Sequence, residues 1–259
     1  MENLSTLEGK YGEEGDKLIF KILNNGINNE KNIEKSKAGF EKLLEGKNSS
    51  DITERALKYD LTIPFARYVA MNHTKLTFPL RRYQVQPVWR ADRPQKGRYR
   101  EFTQCDADVV GSLSLLNEVE LANIYHEVFT QLGLKNYELK INSRKILTAL
   151  AELCGGTDKM IDITIAIDKL DKIGLEKVKE ELQQRGLTDE QIKTVETYLN
   201  ITGSNEEKLS QIKSLLGHIE NGRQGIDEVE FLFNQTKNTN LSIDFTLARG
   251  LNYYTGIIF

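Results

Sequence analysis

Cysteine and histidine are scarce in this chain. Its 259 residues include 2 cysteines and 3 histidines, and the two cysteines, Cys105 and Cys154, are far apart and form no Cys-x-x-Cys pair. A structural zinc site or a disulfide framework is therefore not expected. Two lone cysteines are typical of proteins that stay in a reducing cytosol.

Long hydrophobic runs are also lacking. No apolar run approaches the roughly 20 residues that a membrane helix needs, and residues 1–16 contain no apolar signal core. Hydrophobic residues make up 39% of the chain and charged residues 28%, which is typical of a soluble globular protein with one large domain or two medium ones. We therefore expect a cytoplasmic protein with no membrane partner.

Several catalytic motifs are missing as well. The chain contains no Ser/His/Asp set, no P-loop and no G-x-G-x-x-G. Hydrolysis through an activated nucleophile, Walker-type phosphate chemistry and dinucleotide cofactors are therefore poorly supported.

Positive charge is concentrated in one short segment. Between Arg81 and Arg100, seven lysine or arginine side chains stand against a single aspartate, although the whole chain has a formal net charge of −3. Such a block in an acidic protein indicates a site for a polyanion; a solvated charged hairpin is the alternative. A glutamine and two aspartates that can bind a cation follow it: Gln104, Asp106 and Asp108. A site that joins a polyphosphate to a cationic small molecule is what amino-acid activation needs.

The first half of the chain alternates between strand and helix patterns. Strands are predicted over residues 17–23, 82–89 and 102–110, a helix over 63–71 and a core helix over 112–132, with a charged connection or short helix over 28–50. Pro87 predicts that the second strand lies at an edge or has an irregular end. Thr62 is the predicted N-cap of the helix over 63–71.

A helical block separates two β-rich segments. Helices are predicted over residues 144–153, 167–173, 175–185, 189–199, 206–216 and 225–236, before β character returns at 241–259. Thr188 and Gln191 have the spacing of a capping box, and Gly186 ends the preceding helix. This order indicates an insertion into a sheet domain. We predict a first core part over 1–143, an insertion over 144–235 and a second core part over 236–259.

Three residues near the arginine-rich loop suit a nucleotide. Arg90 stands at a strand end, where its planar fork suits an α-phosphate that gains charge during nucleotidyl transfer. Arg98 follows Gly97 in the loop and suits the outer phosphates or an incoming acceptor strand. Phe102 on the return strand can stack on a purine ring; an ordinary core phenylalanine is the alternative.

Two other segments carry candidate site residues. In 247–256 (LARGLNYYTG), Arg249 stands near Tyr253 and Tyr254, which point to opposite faces if the segment is extended. A strand and turn without function is equally compatible with that segment. Asp60 stands just before a helix start, where a helix cap or a surface charge is the alternative to a binding role.

Five stretches resemble one enzyme family. Residues 90–104 (RADRPQKGRYREFTQ) resemble motif 2 of the class II aminoacyl-tRNA synthetases, and LARGLNYYTG resembles the histidine-specific signature of the histidyl-tRNA synthetases. Residues 57–71 (LKYDLTIPFARYVAM) resemble the segment that bears the first substrate carboxylate. INSRKIL at 141–147 and DKLDKIG at 168–174 resemble the entry to the family's helical insertion domain. The resemblance covers nearly the whole chain.

The resemblance implies a fold and a set of site residues. The expected fold class is α+β, with a class II synthetase-type antiparallel sheet flanked by helices and a helical insertion over the acceptor arm of the tRNA. The lysines of that insertion are equally compatible with a solvated face. The implied histidine-binding residues are Asp60, Gln104, Asp108, Arg249, Tyr253 and Tyr254. The implied ATP-binding residues are Arg90, Arg98 and Phe102, with Arg90 and Arg249 as the catalytic pair at the α-phosphate.

The resemblance also implies a reaction and partners. Histidine and ATP would give histidyl-adenylate and pyrophosphate, and the histidyl group would pass to tRNA(His). Mg²⁺ is implied through the ATP phosphates, and no metal-ligand motif is expected in the protein. A homodimer is expected for the full-length protein, while the sequence leaves open whether this chain dimerises.

The family pattern is incomplete in this chain. Motif 1, motif 3 and the C-terminal anticodon-binding domain of the family have no counterpart here, so we expect a fragment of the synthetase core in which full activity is an open question. Asn252 stands where many relatives carry aspartate, which we interpret as a tolerated variant.

Three other functions compete with this interpretation. A regulatory subunit of ATP phosphoribosyltransferase shares the fold, but such paralogues tend to lose the LARGLNYYTG signature. A synthetase-like sensor that binds uncharged tRNA should have damaged substrate residues, whereas all of them are present here. A plain nucleic-acid-binding domain would bind neither histidine nor its adenylate.

Overall fold

A computed structural model describes residues 1–237, 240–248 and 254–259. The chain divides into two compact units, Met1–Ser112 and Leu113–Phe259. The three-part division at residues 143 and 235 stays a prediction.

The first unit combines a small sheet, four α-helices and a long β-ribbon. Its elements are β1 (Glu2–Asn3), α1 (Leu4–Leu7), α2 (Gly12–Asp16), β2 (Lys21–Ile22), α3 (Ile33–Leu44), β3 (Arg55–Ala56), α4 (Thr62–Asn72), a 3₁₀ turn (His73–Lys75), β4 (Leu80–Trp89) and β5 (Glu101–Val110). β3 lies between β1 and β2 and is antiparallel to both. A buried cluster of Leu4, Leu7, Tyr11, Ile19 and Ala56 forms the apolar core of this part of the chain.

The predicted strands and helices of this unit are largely confirmed. The 28–50 segment contains the helix α3, and the predicted strand over 17–23 shrinks to β2. Pro87 does lie at an edge, because among the described residues β4 pairs only with β5. Of the two alternatives for Pro87, the edge position is therefore the one observed: Pro87 is paired with Thr103, and the register continues unbroken to Trp89 and Glu101.

The β4–β5 ribbon covers its polar face and exposes its apolar one. Arg82, Gln86 and Val88 lie opposite Asp108, Gln104 and Phe102, and directly opposite residues share a face; of these six side chains only Gln86 is exposed. On the other face, Tyr83 and Val85 are 84% and 56% exposed. This inverts the usual pattern of an antiparallel sheet, and it places the candidate site residues of the ribbon on the face that the unit covers.

The second unit surrounds a three-stranded sheet with helices. Its elements are α5 (Leu116–Gln131), β6 (Leu139–Ser143), α6 (Arg144–Leu153), a 3₁₀ turn (Thr157–Lys159), α7 (Met160–Ile167), α8 (Leu170–Ile173), α9 (Leu175–Gln184), α10 (Asp189–Leu199), α11 (Asn205–Leu216), α12 (Glu220–Gln235), β7 (Leu241–Ile243) and β8 (Ile257–Ile258). β6 is central, parallel to β7 and antiparallel to β8. The apolar core is built around α6, whose Ile146, Leu147 and Leu150 have no exposed surface.

Local signals predicted this unit well. α6 and α10 have the predicted bounds. The capping box is confirmed, since the Thr188 amide donates to Gln191 Oε1 (2.9 Å) and the Gln191 amide to Thr188 Oγ1 (3.4 Å). Gly186 has φ +85°, the left-handed conformation of a helix C-terminus.

Three expectations for this unit need correction. The predicted helix over 167–173 is represented only by the short helix α8, and the helix α7 that precedes it, over Met160–Ile167, was missed. α12 begins five residues before the predicted start. α5 is a helix as predicted, and its Val119 and Ala122 belong to the apolar core, but Ile124 and Val128 of the predicted stripe are 39% and 45% exposed.

α12 crosses α6 at a glycine, Gly225. A Cβ atom on Gly225 would lie 2.9 Å from the Ile146 backbone nitrogen and 3.0 Å from Lys145 Cβ. We expect Gly225→Ala to lower the free energy of unfolding by about 1–3 kcal/mol, the usual cost of overpacking, as measured by urea denaturation. Asp227→Ala on the same helix is the control, since it removes only an exposed ion pair with Arg223, which contributes little to stability. Equal stability of both variants would contradict the crossing.

Candidate active site

A charged pair anchors the covered face of the ribbon. Arg82 Nη2 lies 2.8 Å from Asp108 Oδ2, and their side chains are 14% and 22% exposed. The Arg82 guanidinium also lies 3.9 Å from the centre of the Phe65 ring, within cation–π range. In the sequence, Arg82 stands out only as part of the cationic block; the strand alternation that places it on one face with Asp108 is the signal that could have found this contact.

Asp60 reaches the site from the loop before α4. It is 5% exposed, and its Oδ1 accepts hydrogen bonds from the Tyr11 hydroxyl (3.0 Å) and the Ile63 amide (3.2 Å). The predicted N-cap at Thr62 was wrong: Thr62 is the first helical residue, and the N-cap residue Leu61 makes no side-chain cap. The Asp60 carboxyl satisfies a free amide of the first helical turn instead, so capping and a binding role are compatible.

Three carboxyls of this region have pKa values above their ordinary ones. Burial is the largest cause that raises the pKa of Asp60, Asp106 and Asp108. The charge of Asp108 raises the pKa of Asp106 further, while Arg82 opposes the shift at both. Because desolvation disfavours the ionised form, a cationic ligand that restores charge balance would be stabilised here.

The raised pKa of Asp60 predicts a pH dependence of stability. A carboxyl with a raised pKa binds more protons in the folded state than in the unfolded chain, so it lowers stability as pH rises from about 3.8 through the folded pKa. The amide introduced by Asp60→Asn keeps an acceptor oxygen and does not titrate. We expect this variant to gain stability relative to the unaltered chain as pH rises through that window, as measured by urea denaturation from about pH 3.5 to 7. A difference that is constant with pH would contradict this.

Arg90 lies between two aromatic rings at the end of β4. Its guanidinium carbon is 4.4 Å from the centre of the Tyr59 ring and 5.1 Å from that of Phe102, and its Nε donates to the Tyr59 carbonyl (3.2 Å). Arg90 is half-buried. These contacts orient the fork while leaving its Nη atoms available to an anion.

A cavity of about 450 Å³ opens beside Arg90. It is lined by Leu18, Tyr59, Arg90, Asp92, Gly97, Arg98, Tyr99 and Phe102, and its volume is in the range of small-molecule sites. Phe102 is half-buried and lines this cavity, so the alternative of an ordinary core phenylalanine is not what the structure has. Arg98 is 59% exposed and lies 3.3 Å from Asp92 Oδ1, where it can turn toward a ligand.

Gln104 lies on the same ribbon face between the cavity and the charged pair. Its Oε1 is buried and, among the described residues, accepts no hydrogen bond. A buried polar atom without a partner is costly, and it is a natural contact for a ligand donor. Gln104, Asp108, Asp60, Arg90 and Phe102 are thus brought together in the first unit.

The histidine-signature segment is only partly described. Arg249 and Tyr253 lie outside the described residues, so their roles stay predictions. Tyr254 is half-buried and packs against the apolar core of the second unit, and its binding role is likewise a prediction.

The chain just before Arg249 is held by a buried amide. Asn142 has no exposed surface, and its Nδ2 donates to the carbonyls of Leu247 (3.0 Å) and Phe245 (3.3 Å). The Tyr198 hydroxyl of α10 donates to the same Phe245 carbonyl (2.8 Å). The 141–147 motif therefore supports the entry to the signature segment, a contact that its sequence position does not reveal.

Neither a metal cluster nor a membrane helix is found in the described part of the chain. Residues 1–237, 240–248 and 254–259 contain no group of three or more His, Cys, Asp or Glu side chains arranged for a metal ion. Over the same residues, every helix is too short or too polar to cross a bilayer.

Comparisons with known proteins agree with this geometry. The family model for histidyl-tRNA synthetase matches residues 37–259, and the chain belongs to that family. It is 54% identical over 268 residues to the histidine–tRNA ligase of Bacteroides fragilis (strain YCH46), an alignment that covers all of this chain and 57% of the relative. The chain therefore spans little more than half the length of the curated relatives it matches.

Solved structures confirm the fold class. The histidyl-tRNA synthetase of Nostoc sp. PCC 7120 superposes with a TM-score of 0.71 at 36% identity, covering 82% of this chain and 50% of that one. An ATP phosphoribosyltransferase regulatory subunit/histidyl-tRNA synthetase from Bacillus halodurans C has a TM-score of 0.72 at 19% identity, covering 93% and 56%, which shows the fold alone. The predicted α+β class II synthetase fold is confirmed.

Proposed function

We propose that this chain carries the amino-acid activation site of a histidine–tRNA ligase. Such an enzyme joins histidine to ATP as histidyl-adenylate, releases pyrophosphate, and passes the histidyl group to tRNA(His). The observation that carries the proposal is that two consecutive residues, Tyr59 and Asp60, belong to two different subsites. Asp60 belongs to a carboxyl cluster suited to a cation, and Tyr59 lies under the arginine of a nucleotide-sized cavity.

The roles follow from these two subsites and from family membership. Asp60, Gln104 and Asp108 bind the ammonium and imidazole of histidine, and Arg249, Tyr253 and Tyr254 are assigned to the same ligand through the signature they belong to. Arg90 contacts the α-phosphate, Arg98 the outer phosphates and Phe102 the adenine. The same signature also assigns Arg249 to the α-phosphate. Because attack at phosphorus needs alignment and charge neutralisation, positioning and electrostatics carry the catalysis.

Other parts of the proposal rest on family membership. Mg²⁺ enters with the ATP phosphates as part of the substrate. Binding of tRNA(His), a homodimer of the full-length protein, a cytoplasmic location and an insertion domain over residues 144–235 belong to the same proposal.

Calorimetric titration with a non-hydrolysable histidyl-adenylate analogue tests the proposal. We expect tight binding by the folded protein and much weaker binding of the alanyl analogue, which has the same nucleotide but no imidazole. Binding of neither analogue by the folded full-length protein would refute the proposal and favour a regulatory or tRNA-sensing relative. Equal binding of both would refute histidine as the amino acid.

A further inference from the structure

Tyr11 contacts both Tyr59 and Asp60, the consecutive residues that belong to different subsites. It lies directly before α2 and is 5% exposed. Its hydroxyl donates to Asp60 Oδ1 over 3.0 Å. Its ring lies 4.2 Å from the Tyr59 ring, centre to centre, with the planes inclined by 33°. One buried side chain therefore supports two consecutive residues through chemically different groups.

The two contacts of Tyr11 serve different proposed subsites. Its hydroxyl contacts the carboxyl of Asp60, which forms a cluster with Asp108. The ring side leads to Tyr59, which in turn holds Arg90 through its carbonyl (3.2 Å) and its ring face (4.4 Å). The influence of Tyr11 on the two subsites therefore passes through Asp60 on one side and Tyr59 on the other.

A glycine in α2 makes room for this arrangement. A Cβ atom on Gly15 would overlap Tyr11 Cβ and would lie 3.7 Å from the Tyr59 hydroxyl. Tyr11 therefore has α2 on one side and the Tyr59 ring on the other, and its side chain cannot move without disturbing one of them.

We propose that Tyr11 is a positioning residue that couples the amino-acid subsite to the nucleotide subsite: its hydroxyl orients Asp60 for histidine, and its ring orients Tyr59 and Arg90 for ATP. This inference rests on the proposed function and adds a residue to it that none of the binding motifs contains. Substitutions of Tyr11 can therefore separate the contribution of its hydroxyl from that of its ring.

Two substitutions of Tyr11 separate the hydroxyl from the ring. Tyr11→Phe keeps the ring and removes the donor; we expect the Kd for histidine to rise about tenfold, the effect of a lost hydrogen bond to a charged group, with the Kd for ATP within about twofold. Tyr11→Leu removes both, and we expect both dissociation constants to rise. Tyr83→Phe is the matched control, since Tyr83 is 84% exposed on the opposite ribbon face and should change neither.

A second measurement tests the hydroxyl contact without any ligand. The Tyr11 hydrogen bond lowers the pKa of Asp60 against the effect of burial, and Arg90 acts in the same direction. In Tyr11→Phe the carboxyl of Asp60, followed by ¹³C NMR, should titrate at a higher pH than in the unaltered protein. If Tyr11→Leu fails to fold, Gly15→Ala takes its place. Because this substitution displaces the Tyr11 side chain, we expect it to raise the dissociation constants of both histidine and ATP.

The outcomes distinguish this inference from the function it rests on. An unaltered protein that does not prefer histidine to other amino acids refutes the proposed function, and the Asp60 titration still decides whether Tyr11 sets that carboxyl. If the unaltered protein binds histidine and ATP, but Tyr11→Phe weakens the binding of both equally or of neither, the coupling role of Tyr11 is overturned. The proposed function then still stands.

Discussion

Arg90→Ala should lower the rate of histidyl-adenylate formation by about 10²–10³-fold, the usual cost of removing one donor that stabilises developing charge. The guanidinium lines the cavity of about 450 Å³, and its carbon lies 4.4 Å from the centre of the Tyr59 ring and 5.1 Å from that of Phe102. Because these contacts orient the arginine before any ligand binds, its charge needs little reorganisation during the reaction. The loss should therefore appear in kcat for ATP–pyrophosphate exchange, with the KM for histidine little changed.

Two comparisons sharpen this prediction. Arg90→Lys keeps the charge but loses the planar fork, so we expect an intermediate rate. Arg93→Ala removes an exposed arginine of the same loop and should leave the exchange rate within about twofold, since exposed charges contribute little. If Arg93→Ala were as slow as Arg90→Ala, the loop would act only through its total charge, and the assignment of Arg90 to the α-phosphate would be wrong.

Asp108→Asn should weaken histidine binding by about 2 kcal/mol or more, which is roughly 30-fold, while the Kd for ATP changes little. The substitution removes a carboxylate from the covered face of the ribbon and leaves Arg82, which lies 2.8 Å away, without its ion pair. The unpaired guanidinium then repels the ammonium of the ligand. Separate calorimetric titrations with histidine and with ATP measure the two effects.

The control for this variant is an aspartate outside the site. Asp51 is exposed in the same unit, and Asp51→Asn makes the same chemical change without altering the carboxyl cluster. A comparable loss of histidine and ATP affinity in Asp108→Asn would indicate a general disturbance of the ribbon and would remove Asp108 from the histidine subsite. Circular dichroism of both variants shows whether the fold is retained.

Contacts close along the chain were predictable from the sequence. The β4 and β5 strands follow from a period of two, and the capping box of α10 follows from residues three positions apart. The bounds of α6 and α10 follow from the helical period. In each case the stabilising partners lie within a few residues of one another, or the pattern repeats at a fixed spacing. A short stretch of sequence is therefore enough to predict these elements.

The family was also visible in the sequence, through its motifs. The arginine-rich loop and the LARGLNYYTG segment resemble the family's signatures, and family membership is confirmed over residues 37–259. The assignment of individual side chains to histidine or ATP stays a prediction that the variants of Arg90, Asp108 and Tyr11 can test.

Partners far apart along the chain were decided only by folding. Tyr11 and Asp60 are 49 positions apart, and Asn142 and Leu247 are 105 positions apart. The exposure of Ile124 on α5 also depends on which neighbours the helix meets. An amphipathic period shows that a residue can be buried, but its burial requires a partner surface that the period does not specify.

The ribbon shows this division most clearly. Alternation in the sequence determines that Arg82, Gln104 and Asp108 share one face, because side chains of a strand alternate with a period of two. It does not determine which face is covered, and an ordinary hydrophobic-in pattern would have exposed these polar residues. The tertiary structure covers them, since the loop that carries Asp60 and the helix that carries Phe65 contact that face. That burial raises the pKa of the Asp60 and Asp108 carboxyls and supports the proposal that this face binds histidine.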